Sequence, residues 1–287
     1  MSIQVKNLTH VYSEGMPYET AALADVSFDI EDGSFVGIIG HTGSGKSTMV
    51  QHLNGLLKPK SGTIIVDGVD ITGPGVKLRD IRRMIGLVFQ YPEYQLFEET
   101  VERDVAFGPL NLGLSQEAAL ERVKEALELV GLSYEEIGQR SPFDLSGGQK
   151  RRVAIAGVIA MKPRVLILDE PTAGLDPKAH KDILTLIRNV HETEKNTILL
   201  VSHNMGDIAS MSDKVLVMDR GRLAITGTPA EVFFQTERLL SLGLGLPPAA
   251  EFMEALKQRG VPVSGRALDL ENACREIIGW IEKKKNA

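Results

Sequence analysis

The chain has 287 residues, 43% hydrophobic and 24% charged, which excludes global disorder and fits one large domain or two modest ones. Its net charge of −6 argues against a general polyanion-binding surface, and we expect no nucleic-acid partner. Cys274 is the only cysteine, so no disulfide can form within the chain and a cytoplasmic location is expected. The sequence has no signal-peptide core and no run of 18 apolar residues, so a membrane role would depend on another subunit.

Short strands separated by turns dominate the first 90 residues, and strands alternate with helices after residue 162. A first strand is expected through Val5, Leu8 and Val11. We predict further strands at 24–30, 34–39, 63–66, 84–89, 165–168, 197–201 and 215–218, and helices at 46–57 and 177–190. Strands that alternate with helices predict an α/β fold with a largely parallel sheet.

Residues 91–162 are predicted to be mainly helical. Ser115 is the expected N-cap of a helix that ends at Gly131, and a second helix is predicted at 147–160. After residue 235 two more helices are predicted, at 248–259 and 269–284. They are expected to form a small C-terminal lobe, which either packs on the main domain or offers a face to a partner subunit.

A glycine-rich loop follows the predicted strand 34–39 and matches the phosphate-binding pattern G-x-x-x-x-G-K-S. Its glycines let successive N–H groups face one anion, and the following helix adds its positive N-terminal dipole. Lys46 is expected to reach the β- and γ-phosphates, and the Ser47 hydroxyl to bind Mg²⁺. The predicted nucleotide-binding residues here are Gly40, His41, Thr42, Gly43, Ser44, Gly45, Lys46, Ser47 and Thr48.

Polar side chains follow three of the predicted buried strands. Asp169 ends one of them and is a candidate Mg²⁺ ligand, while Glu170 comes next, is expected to point the other way and can orient or deprotonate the attacking water. His203 follows the strand 197–201 and is a candidate sensor of the γ-phosphate. Gln90 ends the strand 84–89 and is a candidate ligand of Mg²⁺ or of the water. Carboxyl ends of parallel strands converge on the ligand in such sheets.

A Leu-Ser-Gly-Gly-Gln run at 145–149 opens the helix at 147–160 and forms a second candidate anion site. Because the first site already satisfies a nucleotide, the second suggests a nucleotide held by a different chain. The full set of motifs resembles that of ATP-binding cassette ATPases. It comprises the glycine-rich loop, Gln90, Leu-Ser-Gly-Gly-Gln at 145–149, Leu-Ile-Leu-Asp-Glu-Pro at 166–171, Ala-Gly-Leu-Asp at 173–176 and His203.

That resemblance implies a RecA-like P-loop NTPase core with an antiparallel β subdomain and an inserted helical subdomain at about 91–162. It implies a cassette at 1–235, a helical extension at 236–287 with a possible dimer contact, and ATP with Mg²⁺ as ligands. Tyr12 would stack on adenine, although Tyr18 could compete. The residues implied to contact the nucleotide of the opposite subunit are Ser146, Gly147, Gly148, Gln149 and Asp176.

A closer resemblance comes from Val-Phe-Gln-Tyr-Pro-Glu-Tyr-Gln-Leu-Phe at 88–97 and Ala-Phe-Gly-Pro at 106–109. These runs are similar to those of the ATPases of energy-coupling-factor importers of vitamins or metal ions, most like the second of the paired ATPases. The implied partners are a second ATPase, a transmembrane coupling subunit and a substrate-binding membrane subunit, with the chain peripheral at the cytoplasmic face. The four aromatic residues at 89–97 either pack in the core or line a groove for a membrane-subunit helix.

Alternative functions remain a cassette ATPase of another importer and a non-transport cassette ATPase. Chromosome-organising members insert long coiled coils before Leu-Ser-Gly-Gly-Gln, which this spacing does not allow, and tandem translation factors carry two cassettes. GTPases lack the Leu-Ser-Gly-Gly-Gln run, and a non-hydrolysing regulator would not need Glu170. Ser202-His203-Asn204 departs from the Thr-His-Asp run that is commoner in this family, and the resemblance still implies the same role for His203.

Overall fold

The computed structural model describes residues 2–285, and the strands of this part of the chain form two sheets. The strands are β1 (Ile3–Tyr12), β2 (Thr20–Ile30), β3 (Phe35–Ile39), β4 (Ser61–Val66), β5 (Val69–Asp70), β6 (Ile85–Val88), β7 (Val165–Asp169), β8 (Thr197–Val201), β9 (Lys214–Asp219) and β10 (Arg222–Gly227). The helices are α1 (Lys46–Leu53), α2 (Leu78–Met84), α3 (Val101–Asn111), α4 (Gln116–Leu129), α5 (Tyr134–Ile137), α6 (Gly147–Ile159), α7 (Pro177–Glu194), α8 (Met205–Met211), α9 (Pro229–Phe233), α10 (Thr236–Ser241), α11 (Pro248–Gln258) and α12 (Leu270–Lys285).

The larger sheet has six strands in the order β10-β9-β3-β8-β7-β6. All neighbouring pairs are parallel except β10 with β9, so the predicted largely parallel sheet is confirmed. Every residue of β3, β6, β7 and β8 is buried, which is why these strands are almost continuously apolar in sequence. Because the parallel strands share one direction, the residues that follow β3, β6, β7 and β8 meet at a single edge.

Successive residues of these strands belong to two different cores, one on each face of the sheet. On one face Phe35 and Leu168 pack with helices α3, α4, α6 and α7, and on the other Val36 and Ile167 pack with α1 and the second sheet. The second sheet has four antiparallel strands in the order β2-β1-β4-β5. The expected antiparallel β layer, P-loop core and helical region are therefore all present.

Several helix and strand ends differ from the sequence-based expectation. The predicted helix 46–57 ends at Leu53, because the side-chain amide of Asn54 donates to the carbonyl of Ile85 and Gly55 turns the chain with φ 69°. The predicted strand 84–89 begins one residue later and ends at Val88, so Gln90 lies two residues beyond it. Met84 instead closes α2, a helix with four charged residues whose pattern did not predict it.

A predicted helix cap and the predicted C-terminal helices are present in the structure. Ser115 caps α4 by accepting a hydrogen bond from the Ala118 N–H, as predicted. The helices predicted at 248–259 and 269–284 are present as α11 and α12, and the short helix α10 precedes them without having been predicted. Met253, buried in α11, belongs to a small separate core. The divisions 1–235 and 236–287 stay predictions, and residues 1, 286 and 287 lie outside the described part of the chain. No helix in residues 2–285 has the length and apolar character to cross a membrane.

Candidate nucleotide-binding site

The loop between β3 and α1, the P-loop (residues 40–47), follows a backbone course that needs glycine at two positions. Gly40 has φ 155° and a Cβ there would lie 2.3 Å from the carbonyl oxygen of Met218. Gly45 has φ 99° and a Cβ there would lie 2.6 Å from the carbonyl oxygen of Ala22. Within the described residues no side chain caps the N-terminus of α1, so its first N–H groups are available to an anion.

Lys46 is almost fully buried at the base of this loop. Its Nζ donates to the carbonyl oxygens of Gly40, at 2.7 Å, and His41, at 3.0 Å. Burial lowers the pKa of Lys46, while the negative charges of Glu170 and Asp169 act in the opposite direction. The lysine therefore lies within electrostatic reach of both carboxylates although more than a hundred residues separate them in sequence.

Ser47 and Asp169 meet at the edge where β7 ends. The Ser47 side chain is close enough to the Asp169 carboxylate to lower its pKa, and Asp169 is only 6% exposed. Burial raises the pKa of Asp169, the charge of Glu170 adds to this rise, and the Ser47 hydrogen bond opposes it. A hydroxyl and a carboxylate side by side are hard oxygen ligands of the kind that Mg²⁺ prefers.

Three of the predicted catalytic residues are also brought together at this edge. One Glu170 carboxylate oxygen accepts a hydrogen bond from Nε2 of Gln90 at 3.0 Å, and the other lies 2.5 Å from Nε2 of His203. Gln90 follows β6, Glu170 follows β7 and His203 follows β8, so the parallel sheet creates the cluster.

Glu170 departs from the alternation expected along a strand. Asp169 and Glu170 should point to opposite faces in an extended chain, but Glu170 adopts a left-handed φ of 53°. Its N–H still donates to the carbonyl of Val201 on the neighbouring strand, at 3.0 Å. The negative charges of both carboxylates act on Lys46, and the opposite orientation of the two side chains stays a prediction.

Tyr12 lies against the first helix of the site. Its hydroxyl is 3.3 Å from the Thr48 hydroxyl, whereas Tyr18 is more exposed, at 69%, in the turn after β1. Adenine stacking by Tyr12, with Tyr18 as the alternative, stays a prediction. His10 packs edge to face against Tyr12, and His52 packs against His10. The sequence did not point to these two residues, because isolated histidines in a strand and a helix carry no motif.

The Leu-Ser-Gly-Gly-Gln run, the signature segment (residues 145–149), begins α6 at the protein surface. Ser146 caps the helix through a reciprocal pair of hydrogen bonds with Gln149, and Gly147 and Gly148 are exposed. A Cβ at either glycine would meet nothing within 4 Å. Asp176 is also exposed and caps α7 by accepting from the N–H groups of Lys178 and Ala179. Their contact with a second chain stays a prediction.

The structure adds a histidine–carboxylate pair that the sequence did not predict. Nε2 of His41 lies 2.9 Å from the Asp219 carboxylate, and its Nδ1 lies 2.8 Å from the carbonyl oxygen of Thr42. The hydrogen bonds to Thr42 and Asp219 raise the pKa of His41. Since both partners can only accept, the imidazolium form satisfies both at once. Asp219 is 178 residues away, so no local pattern could reveal it.

The aromatic residues of the aromatic segment (residues 89–97) lie partly against the core and partly at the surface. Phe89 packs against the core, whereas Tyr94 is 84% exposed and Phe97 is 57% exposed. Phe97 contacts Phe107 of α3 edge to face, with ring centroids 5.0 Å apart. Beside them runs a groove of about 600 Å³. Its charged lining residues are Arg79, Arg82, Arg83 and Asp104, and its apolar ones include Leu96, Val158 and Met161.

Comparison with known proteins agrees with this geometry. The ABC transporter family model matches residues 23–173, just over half of the chain. The energy-coupling factor transporter ATP-binding protein EcfA2 of Caldanaerobacter subterraneus subsp. tengcongensis is 56% identical over 286 residues, with 100% of both chains covered. EcfA2 of Clostridium perfringens is 56% identical over 278 residues, covering 97% of this chain and 98% of its own.

Solved structures match the fold as well. The structure of cbiO1 from Clostridium perfringens, described as part of the ABC transporter complex cbiONQ, is 40% identical with a TM-score of 0.73, over 88% of this chain and 98% of that one. A dimeric ATP-binding cassette, MJ0796 bound to ADP and Pi, is 31% identical with a TM-score of 0.69, over 79% and 98%. The chain therefore belongs to the ATP-binding cassette ATPases and, within them, to the energy-coupling factor transporter ATP-binding proteins.

Proposed function

We propose that this chain is the second of two paired ATPases of an energy-coupling factor importer and powers uptake of a vitamin or metal ion through membrane partners. The observation that carries the proposal is the convergence of Gln90, Glu170 and His203 beside Lys46 at one edge of the sheet. The full-length similarity to EcfA2 proteins supports the same role.

The phosphate end of the nucleotide is held by groups that already face one another. The P-loop N–H groups and Lys46 bind the β- and γ-phosphates, with Lys46 leaving the two loop carbonyls that it now contacts. Ser47, Asp169 and Gln90 would supply the oxygen ligands for Mg²⁺, and the effect of Ser47 on the pKa of Asp169 supports the proximity of those two residues. Bound Mg²⁺ would neutralise charge on the phosphates.

Glu170 is the proposed base that orients and deprotonates the water attacking the γ-phosphate. The hydrogen bond from Gln90 fixes one carboxylate oxygen, and His203 lies beside the other. A carboxylate held on both sides is pre-organised, because it does not have to find its orientation during the reaction. His203 is then close enough to sense the γ-phosphate as it departs.

A second chain completes the site in this proposal. Ser146, Gly147, Gly148 and Gln149 lie at the exposed N-terminus of α6, where backbone N–H groups can bind a phosphate, and Asp176 lies in a neighbouring exposed loop. The dimeric form of MJ0796 with ADP and Pi supports such an arrangement in a related cassette. The sister ATPase is the proposed partner, and closure of the pair would complete the cage around the γ-phosphate.

The membrane partner is proposed to dock in the groove beside Phe97 and Phe107. Exposed aromatic side chains next to an apolar groove are suited to a helix presented by another subunit. The segment that carries Tyr94 and Phe97 begins directly after Gln90, so movement of Gln90 with the nucleotide state would reach this surface. The chain would then act at the cytoplasmic face of the membrane as a peripheral subunit.

Replacement of Glu170 tests the proposal in the assembled importer. Glu170→Gln should keep ATP binding and complex assembly and remove turnover at this chain's site, so that the complex loses about half or more of its ATPase activity and uptake. Glu128→Gln, an exposed carboxylate on α4, is the matched control and should have no effect. Near-normal hydrolysis and uptake by Glu170→Gln would contradict the assignment.

A further inference from the structure

Arg151 is a fully buried cation that the nucleotide chemistry does not use. Its side chain is 3% exposed and forms a two-pronged ion pair with Glu93, whose carboxylate accepts from Nε at 2.9 Å and from Nη2 at 2.7 Å. Its Nη1 donates to the carbonyl oxygens of Pro171, at 3.1 Å, and Ala173, at 2.8 Å. All three guanidinium nitrogens therefore have hydrogen-bond partners within the chain.

The partners of Arg151 belong to three segments that each carry a proposed role. Arg151 itself lies on α6, whose first turn follows Ser146. Glu93 lies three residues after Gln90, and Pro171 follows Glu170 directly. One guanidinium group therefore joins the signature helix, the segment after Gln90 and the turn after the catalytic carboxylate.

Each of the two segments joined to α6 contains a residue with a strained backbone conformation. Tyr91 and Glu170 both adopt left-handed φ values, 56° and 53°, which cost free energy for residues other than glycine. The Arg151 guanidinium carbon lies 5.8 Å from the centre of the Tyr91 ring. The N–H of Ala173 donates back to the Glu170 carbonyl at 3.1 Å, so the turn that Arg151 holds is the one that orients Glu170.

The charge state of the pair agrees with a permanent ionic junction. Burial raises the pKa of Glu93, but the hydrogen bonds and positive charge of Arg151 outweigh this effect, and the pKa lies below its ordinary value. A buried cation is costly unless it is fully paired. Lysine could not replace it, because a single ammonium group cannot bridge a carboxylate and two carbonyls in one plane.

We propose that Arg151 is a positioning residue that fixes the signature helix to the Gln90 segment and to the Glu170 turn, so that the three move as one unit. This inference rests on the roles proposed above for Gln90 and Glu170. It predicts that weakening the junction lowers turnover without weakening ATP binding, since none of the residues in the junction belongs to the P-loop.

The test compares Arg151→Lys with Arg152→Lys, the next residue of the same helix, which forms a partly exposed ion pair with Asp182 at 3.4 Å. Amide hydrogen exchange is measured on the isolated full-length chain. In Arg151→Lys, exchange of segments 91–95 and 170–176 should become about five-fold faster or more, and in Arg152→Lys it should not change. Unchanged exchange in both variants would overturn the junction.

ATP turnover of the assembled importer is the second readout. Arg151→Lys should lower kcat to about half or less while KM for ATP stays within about two-fold, and Arg152→Lys should match the wild type. Glu93→Gln keeps the shape of the pair and should reproduce the defect if Arg151→Lys folds poorly. Faster exchange with normal kcat would show a purely structural pair and overturn the positioning role. Glu170→Gln is measured in parallel to separate the two proposals. If this variant kept its ATP turnover, the catalytic role of Glu170 would be contradicted, whereas the contacts proposed for Arg151 would not.

Discussion

The two anion sites of this chain differ in how complete they are. The phosphate end comprises the P-loop and the residues that follow β6, β7 and β8. Lys46 is buried there and donates to loop carbonyls, and the buried Asp169 lies within electrostatic reach of it. The signature end, residues 145–149, presents Ser146 and two glycines to solvent at the start of one helix. From this contrast we expect that the chain can bind a nucleotide by itself and that its signature end serves a nucleotide bound by another chain.

The largest effect is expected from a substitution that disrupts phosphate binding at the phosphate end. Lys46→Ala removes a charge-assisted contact to the phosphates and should weaken ATP binding by the isolated chain by about 100-fold. Lys162→Ala, which removes an exposed lysine paired with Glu125, is the control and should bind ATP normally. Titration calorimetry with a melting curve for each variant separates affinity from folding. Unchanged affinity in Lys46→Ala would contradict a self-sufficient phosphate end.

A second surface of the molecule, like the signature end, is open and is expected to need another chain. The double variant Tyr94→Ala/Phe97→Ala removes exposed aromatic area and should lower uptake by about ten-fold while ATP binding stays normal. The expected cause is weaker docking, so the membrane subunits should co-purify in lower yield. Phe143→Ala, an exposed aromatic outside this groove, is the matched control. Full uptake and normal co-purification by the double variant would contradict the docking surface.

The smallest expected effect is a pH-dependent change in stability that comes from the His41–Asp219 pair at the phosphate end. The raised pKa of His41 means that its bonds to Thr42 and Asp219 stabilise the fold fully below the unfolded-state pKa and that this stabilisation is lost as pH rises through the folded-state pKa. Asp219→Asn should therefore lower the free energy of unfolding by about 0.5 kcal/mol near pH 5.5, because the pair is partly exposed, and by less near pH 8.5.

Denaturant unfolding at the two pH values measures this difference. Asp182→Asn, which removes the carboxylate paired with Arg152, is the control and should show no such dependence, because arginine stays charged throughout. An equal loss of stability in Asp219→Asn at both pH values would contradict a protonated His41.

The phosphate end was largely predictable from the sequence because its residues follow apolar strands or lie in a continuous motif. Asp169 ends the buried strand β7, and Lys46 follows Gly40 at the sequence spacing that the glycine-rich motif sets. Parallel strands align at their carboxyl ends, so the meeting of residues distant in sequence followed from the fold class. The left-handed turn at Glu170 was not predictable, since no glycine or asparagine marks it.

Side-chain pairs between distant segments could not be predicted. Glu93 and Arg151 are 58 residues apart and His41 and Asp219 are 178 apart, so neither pair leaves a periodic pattern. Helix α2 was missed for a different reason. Only Ile81 of its residues is buried, and a helix with one buried position shows no apolar stripe.

The most direct test of an incomplete signature end is ATP turnover by the chain at concentrations where sedimentation shows only monomer. We predict that the monomer binds ATP and hydrolyses it at about 1% or less of the rate per chain in the assembled importer. Gly148→Asp should leave ATP affinity of the monomer unchanged, since a Cβ there meets nothing within 4 Å, and should lower turnover of the assembled importer by about half or more. A monomer that hydrolyses ATP at the full rate, together with an assembled importer that Gly148→Asp leaves unaffected, would contradict completion of the site by a second chain.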